Sequence, residues 1–379
     1  MIKLYGTPFS LYTGKARSYL LKKGIPFEEV IATLGVYRNF IIPRTGVHYV
    51  PVIHLTEDDI VIQDTTVIID ALEKLHPERS VYPSRPKQKL ASLLLEVYGD
   101  EWLVIPAMHY RWNFPEKNDK FIYAAFGSLV LPWAPAFIQR LLGKVMGSKF
   151  KGFVPRLGIT EETIPALEAS YEQLLRDLNA HFKVHDYLFG GRPSIGDFGL
   201  IGPLYAHLYR DPAPGELMRR LAPEVCLWVE RMISDEVPTI GEFLPNDQVP
   251  ETLMPVLQRM AKEQLPVLLD TDRRLTDWRK DAANAGTKEV KRFLGMHPFT
   301  IEQVEGERAV LPFSLWMFQR PTNFYASLED KSGVDAMLNT AGFGTSLQTG
   351  LQNSLTRVDN VVGFSDSSTM DCVPVSSKL

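Results

Sequence analysis

Residues 6–17 read GTPFSLYTGKAR, and their reading decides the first domain. The run Ile2-Lys3-Leu4-Tyr5 before them looks like a short strand. After Tyr12, Ala16, Tyr19 and Leu20 share one helical face, and Gly24 stops the pattern. A second strand is expected at 27–32, and Pro43 interrupts the stretch 33–48. A hairpin covers 52–55 and 59–62. A helix follows over 65–75, with Val67, Ile68, Ala71, Leu72 and Leu75 at helical spacing. Residues 1–76 thus read as βαβ followed by ββα.

That order, with paired cysteines at the first turn, opens thioredoxin-like redox folds. Here Ser10 and Thr13 hold those positions, so this turn carries no thiol of its own. The helix start still offers unpaired N–H groups and a favourable dipole to an anion, and a hydroxyl there can hydrogen-bond a thiolate. Tyr49-Val50-Pro51-Val52 precedes a strand. A cis Val50-Pro51 bond would present the Val50 N–H and C=O to an extended peptide. At Gln63-Asp64-Thr65 a carboxylate and a hydroxyl stand where strand becomes helix. Asp64 suits an ammonium group, and Thr65 with its N–H neighbours suits a carboxylate. Together the three pieces fit a short zwitterionic peptide with its thiol beside Ser10. Each also has a purely structural reading: Ser10 as a helix cap, Val-Pro as a turn, Asp64-Thr65 as a helix start.

The chain of 379 residues is too long for one compact core, and its 45% hydrophobic content supplies material for several. A net charge of -4 argues against a nucleic-acid surface or a polybasic membrane surface. No apolar run has the roughly 20 residues needed to span a bilayer, and no signal-peptide pattern opens the chain. Cys226 and Cys372 are too few and too far apart for a disulfide framework or zinc site, so no metal is expected. A soluble, reduced, cytoplasmic protein is the base expectation. The terminal Ser377-Lys378-Leu379 modifies it, because such an end is read by the peroxisomal import receptor; the peroxisomal matrix is the expected location.

Residues 77–86 read as a linker. Residues 87–245 are helical throughout, with one long amphipathic helix over 87–112 and others over 161–183, 194–209 and 217–233. Residues 246–328 form an extension: helical over 250–280, a hairpin around Glu305-Gly306, and a helix over 314–320. From 329 to 379 a Ser-, Thr- and Gly-rich tail is expected to be flexible.

With these pieces in place, residues 1–245 resemble a cytosolic glutathione transferase of the serine-type classes. YGTPFSLYTGKARSYLLKKGIPFEEV is similar to the family's opening βαβ, YVPVI to its cis-proline segment and QDTTVIIDALEKL to its acidic-hydroxyl pair. GGRPSIGDFGLIGPL (190–204) resembles its helical capping segment. The resemblance implies a thioredoxin-like α/β domain plus an all-α domain, glutathione as co-substrate, a small hydrophobic electrophile or peroxide as second substrate, and a homodimer. Ser10 would hold the glutathione thiolate, with Tyr12 as the alternative hydroxyl. Val50 of the Val50-Pro51 pair would bind the cysteinyl backbone, and Asp64 and Thr65 the γ-glutamyl group. The family often has a cation where Tyr49 stands, leaving Arg44 or His48 to meet the glycyl carboxylate. Trp102 and His109 would line the second-substrate site, although an aromatic stripe at helical spacing reads first as core or dimer packing. Ser194 and Asp197 form a capping box, read as structural. The competing expectation is a non-catalytic module on the same fold.

Overall fold

The computed structural model describes residues 1–237, 241–284 and 286–365; Cys372 and Ser377-Lys378-Leu379 lie outside the described residues. Four strands form the first sheet in the order β2-β1-β3-β4. β1 (Ile2–Gly6) runs parallel to β2 (Phe27–Ile31) and antiparallel to β3 (Val52–Leu55), which pairs with β4 (Ile60–Gln63). α1 (Leu11–Lys23) joins the first two strands and ends on Gly24, whose φ of 67° suits a residue without Cβ. The stretch around Pro43 is helical: α2 (Leu34–Val36), a π turn at Tyr37–Ile41 and α3 (Ile42–Thr45). Pro43 falls in the first turn of α3, where its missing N–H costs no helical bond. α4 (Thr65–Leu75) completes the domain.

The helical domain begins with α5 (Pro86–Val97) and α6 (Val104–Trp112), and the single helix expected over 87–112 is broken between them by a π turn at Tyr98–Trp102. The turn lies where Gly99 meets Gly199, so close that a Cβ on Gly99 would stand 2.4 Å from the Gly199 backbone. α7 (Pro115–Val130) and α8 (Ala136–Lys151) form a helical hairpin on either side of Pro132 and Pro135. α9 (Ile164–Phe182), α10 (Ile195–Pro203), α11 (Pro212–Leu221) and α12 (Pro223–Ile233) close the bundle. Tyr98, Trp112, Tyr171, Phe198 and Trp228 are buried in its core, and Cys226 is buried. Asp197 caps α10 as its spacing predicts, accepting from Ser194 N–H and Oγ at 2.8 Å each.

α13 (Met254–Glu263) and α14 (Leu265–Lys280) open the extension. Its hairpin turns at Glu302-Gln303, between β5 (Met296–Ile301) and β6 (Val304–Ala309), and not at Glu305-Gly306. Both turn residues take positive φ, whereas Gly306 serves packing: a Cβ there would lie 2.8 Å from the Phe299 ring and from Thr163. α15 (Pro312–Ala326) is twice the length expected from 314–320. The stretch expected to be flexible from 329 is ordered through Ser365. It forms α16 (Ser332–Thr340), α17 (Ser346–Thr349) and the hairpin β7 (Leu355–Val358)–β8 (Val361–Phe364). Most of its apolar residues dock: Val334, Leu338, Phe343, Leu347 and Leu355 join the main core, while Val358 stays exposed. Asp272 pins the chain by accepting from the backbone N–H of Gln352 at 2.7 Å and of Asn353 at 3.1 Å.

Candidate functional site

The turn before α1 is held from the other domain. Arg111, paired with Asp211 at 2.6 Å in the helical core, donates to Phe9 O at 3.1 Å, and Arg210 donates to Pro8 O. This fixes Ser10 at the domain junction. Ser10 caps α1: its Oγ accepts from Thr13 N–H at 3.3 Å. The cap uses an oxygen lone pair and leaves the hydroxyl hydrogen for another acceptor. Ser10 is half-buried.

Tyr12 is differently placed. Its hydroxyl donates to Asp100 O at 3.3 Å, so its hydrogen is spent inside the protein. Burial, reinforced by Glu101, Asp100 and Asp64, holds its pKa well above the usual range and keeps it protonated. Of the two candidate hydroxyls, Ser10 is the one with a free hydrogen.

The Val50-Pro51 bond is cis. Val50 N–H and C=O form no hydrogen bond among the described residues, so this edge is open to an extended peptide. Asp64 has φ 87° and caps α4 by accepting from Thr66 N–H at 3.0 Å; Thr65, beside it, is buried. Ser10, Val50 and Asp64 are half-buried, and Thr65 is closed off from solvent. Arg44 is already engaged: it pairs with Asp59 at 2.9 Å and lies over the Phe40 ring. His48 is exposed.

Two arginines that sequence reasoning missed come from the extension. Arg292 donates to Tyr49 Oη at 2.9 Å and lies 4.8 Å over the Tyr49 ring, near enough to act on Tyr12 as well. Among the described residues it pairs with no carboxylate. This places a cation beside Tyr49, the neighbour of Val50. Arg357, on β7, donates to Gln63 O at 3.4 Å and approaches Asp64 Oδ1 at 3.8 Å, with the Trp316 ring 5.4 Å away. Asn360, in the same hairpin, donates to Thr45 O at 2.9 Å. No spacing rule links residues 292 and 357 to the first domain; the one sequence signal was the missing cation at Tyr49.

At the π turn, Trp102 and His109 are both buried and bonded within the protein, Trp102 Nε1 to Glu263 at 3.2 Å and His109 to Glu168 at 3.0 Å. The added residue of the π turn rotates the face, so that Asp100 and Glu101 approach Tyr12. Glu101 is 7% exposed and accepts from Ser314 of the extension at 2.5 Å. Burial, with Asp64 adding to it, pushes its carboxyl up to about 7. Below it lies a charge network joining all three parts of the chain. Lys15 of α1 is fully buried between Glu96 (2.7 Å) and Asp100 (2.5 Å), and Arg320 of α15 bonds Glu96, Tyr82 and Asp70. Burial works against an ionised Glu96, but Arg320 and Lys15 outweigh it; Asp100, with burial dominant, is raised.

With the geometry in place, comparison with known proteins is decisive at the family level. The model of the glutathione S-transferase N-terminal domain matches residues 4–80, and that of the C-terminal domain matches residues 145–236. The chain carries both domains of the glutathione S-transferase family within those segments. The chain is also similar to three solved structures. The beta-etherase LigF from Sphingobium sp. strain SYK-6 is 18% identical, over 61% of this chain and 94% of that one, with a TM-score of 0.43. A glutathione S-transferase from Rhodospirillum rubrum F11 is 18% identical over 66% and 97%, with a TM-score of 0.40. Glutathione transferase F7 from Populus trichocarpa is 19% identical over 62% and 94%, also at 0.40. No curated protein sequence matches the chain. Residues 81–144 and everything after 236 lie outside both family models.

Proposed function

We propose that the chain is a glutathione transferase whose cleft is completed by its C-terminal extension. The observation that carries this reading is the open Val50 edge, flanked on one side by the free hydroxyl hydrogen of Ser10 and on the other by the unpaired guanidinium of Arg292. A tripeptide paired along Val50 would place its cysteinyl sulfur toward Ser10 and its glycyl carboxylate toward Arg292. Ser10 O–H would donate to the thiolate while α1 adds its N-terminal dipole. A free thiol titrates near 8.5, so a drop of about two units, roughly 2.7 kcal/mol, ionises it at neutral pH.

The thiolate then attacks a small hydrophobic electrophile. With an aryl chloride, the S–C bond forms, the C–Cl bond breaks, and chloride leaves with the bonding pair. The thiol proton has by then gone to solvent. With a peroxide, the S–O bond forms, the O–O bond breaks and the leaving alkoxide takes a proton; the glutathione sulfenic acid then reacts with a second glutathione to give the disulfide and water.

A second reading, a non-catalytic module on the same fold, is favoured by one observation. Arg357 already gives Asp64 a positive neighbour, where the ammonium of a γ-glutamyl group would bind. Calorimetry of the full chain with glutathione separates the two readings, because only the first expects binding. For the first reading, turnover of a chlorodinitrobenzene should fall about a hundredfold in Ser10→Ala, the size of one lost hydrogen bond to a developing or ionised centre. Unchanged turnover in Ser10→Ala would remove Ser10 from the chemistry.

A further inference from the structure

The helical hairpin α7–α8 exposes a face that the rest of the fold leaves uncovered. α8 packs on α7 through glycine. A Cβ on Gly143 would stand 1.8 Å from Tyr123 O, and one on Gly127 would stand 1.8 Å from Gln139 O. Gly143 and Gly147 are the buried residues of α8, so the helix meets its neighbour backbone to backbone and turns its large side chains outward. Phe137, Leu141 and Val145, spaced by four, form one outer stripe, exposed 67%, 67% and 63%. Trp133, in the loop that heads the helix, is 80% exposed. Phe150 and Phe153, just beyond it, are exposed 46% and 45%; single exposed apolar residues are ordinary, whereas a continuous stripe is not.

The charge around the stripe narrows what covers it. Between Lys120 and Thr160 there are six Lys and Arg and no Asp or Glu, in a chain whose net charge is -4. Four of those cations, Arg140, Lys144, Lys149 and Lys151, are exposed on α8, and among the described residues none pairs with a carboxylate. On the helical wheel Arg140, Lys144 and Lys151 flank one side of the stripe and Lys149 the other. A second copy docked about a two-fold axis would bring these like charges together. An anionic bilayer surface satisfies both features: acyl chains take the apolar stripe and the tryptophan, and lipid phosphates take the cations. No helix among the described residues is long and apolar enough to cross a membrane, so the contact would be one of lying on the surface.

We infer that the α7–α8 hairpin docks the protein on anionic lipid membranes, with Trp133, Phe137, Leu141 and Val145 inserted and the α8 cations at the headgroups. The inference is independent of glutathione. The test is sedimentation of the full chain with vesicles of phosphatidylcholine containing about 30% phosphatidylserine. Binding should fall about tenfold or more on pure phosphatidylcholine, because the electrostatic part is lost. A Trp133→Ser/Leu141→Ser variant, altered at exposed positions only, should lose about tenfold on the anionic vesicles. Lys144→Glu/Lys149→Glu should lose binding to anionic vesicles and keep the residual neutral binding. Absence of vesicle binding, or equal binding by the Trp133/Leu141 variant, would overturn the assignment. A dimer by sedimentation equilibrium that Leu141→Ser converts to monomer, with no vesicle binding, would assign the stripe to a second copy and overturn it as well.

Discussion

Two helices among the described residues have a serine as N-cap, and the two starts have opposite fates. Ser194 opens α10 inside the helical core and is fully buried. Its cap is closed by Asp197, which accepts from Leu188 N–H, Ser194 N–H, Ser194 Oγ and Trp228 Nε1 between 2.8 and 3.2 Å. Ser10 opens α1 at the domain junction, with one cap bond at 3.3 Å and its hydrogen free. The local chemistry is the same; the packing against it differs. A capping serine becomes a candidate for chemistry only when its neighbours leave the oxygen reachable and its hydrogen unspent. What surrounds Ser10, the π turn and the extension, is what the family's shared domains contribute least to.

The largest expected effect tests the sealed side of this comparison. Asp197→Ala orphans four donors in a dry core and should cost about 3–5 kcal/mol, read as a lower midpoint in urea unfolding. Ser10→Ala removes one long cap bond and should cost no more than about 1 kcal/mol. Equal costs would mean that the two starts are equally structural, and the contrast would collapse.

The next effect sharpens the contrast through pH. Asp197 has four donors, whereas Glu101, in the π turn, has one, Ser314, and its Oε1 has none. Burial raises the Glu101 carboxyl from 4.5 to about 7 in the folded protein. A raised folded pKa makes its contribution to stability complete below the unfolded value and lost as pH rises through about 7. By pH 8.5 the ionised, under-partnered carboxylate should cost about 3 kcal/mol relative to acid pH. Glu101→Gln should therefore be the more stable protein at pH 8.5, and the difference should close near pH 4.5. Urea midpoints of the two proteins across that range provide the check, and a parallel pH dependence would rule out Glu101 as its source.

Much of this was legible in the sequence, and the parts that were not share a cause. The βαβ–ββα order, the Ser10 cap and the Ser194-Asp197 box depend on residues within a few positions of one another, where periodicity and capping rules apply. The π turn at Tyr98–Trp102 keeps helical periodicity on both sides, so one continuous helix was the natural reading; the packing role expected of its aromatic face agrees with the burial of Trp102 and His109. The 329–365 segment looked too polar to fold alone, and it does not fold alone: most of its scattered leucines and valines dock on a surface already built. Arg292 and Arg357 reach the first domain across a sequence separation that no local pattern records.

Arg292 gives the smallest effect and the most specific one. It rests on the glutathione reading, and it asks whether the extension takes part in binding or only covers the cleft. The guanidinium is exposed and stacked on Tyr49, so a carboxylate pair with it is partly screened by solvent. Such a pair is worth about 1 kcal/mol, roughly fivefold in affinity. The ligand can be altered as readily as the protein. Glutathione esterified at its glycyl carboxylate should bind the native chain about fivefold more weakly than glutathione, and Arg292→Gln should bind both alike at the weaker level. If the native chain binds glutathione but ignores the ester, Arg292 is a surface residue beside a working site. If Arg292→Gln still discriminates, another cation meets the glycyl end. Loss of discrimination in the variant alone would make the extension part of the open site, which the sealed start at Ser194 has no counterpart for.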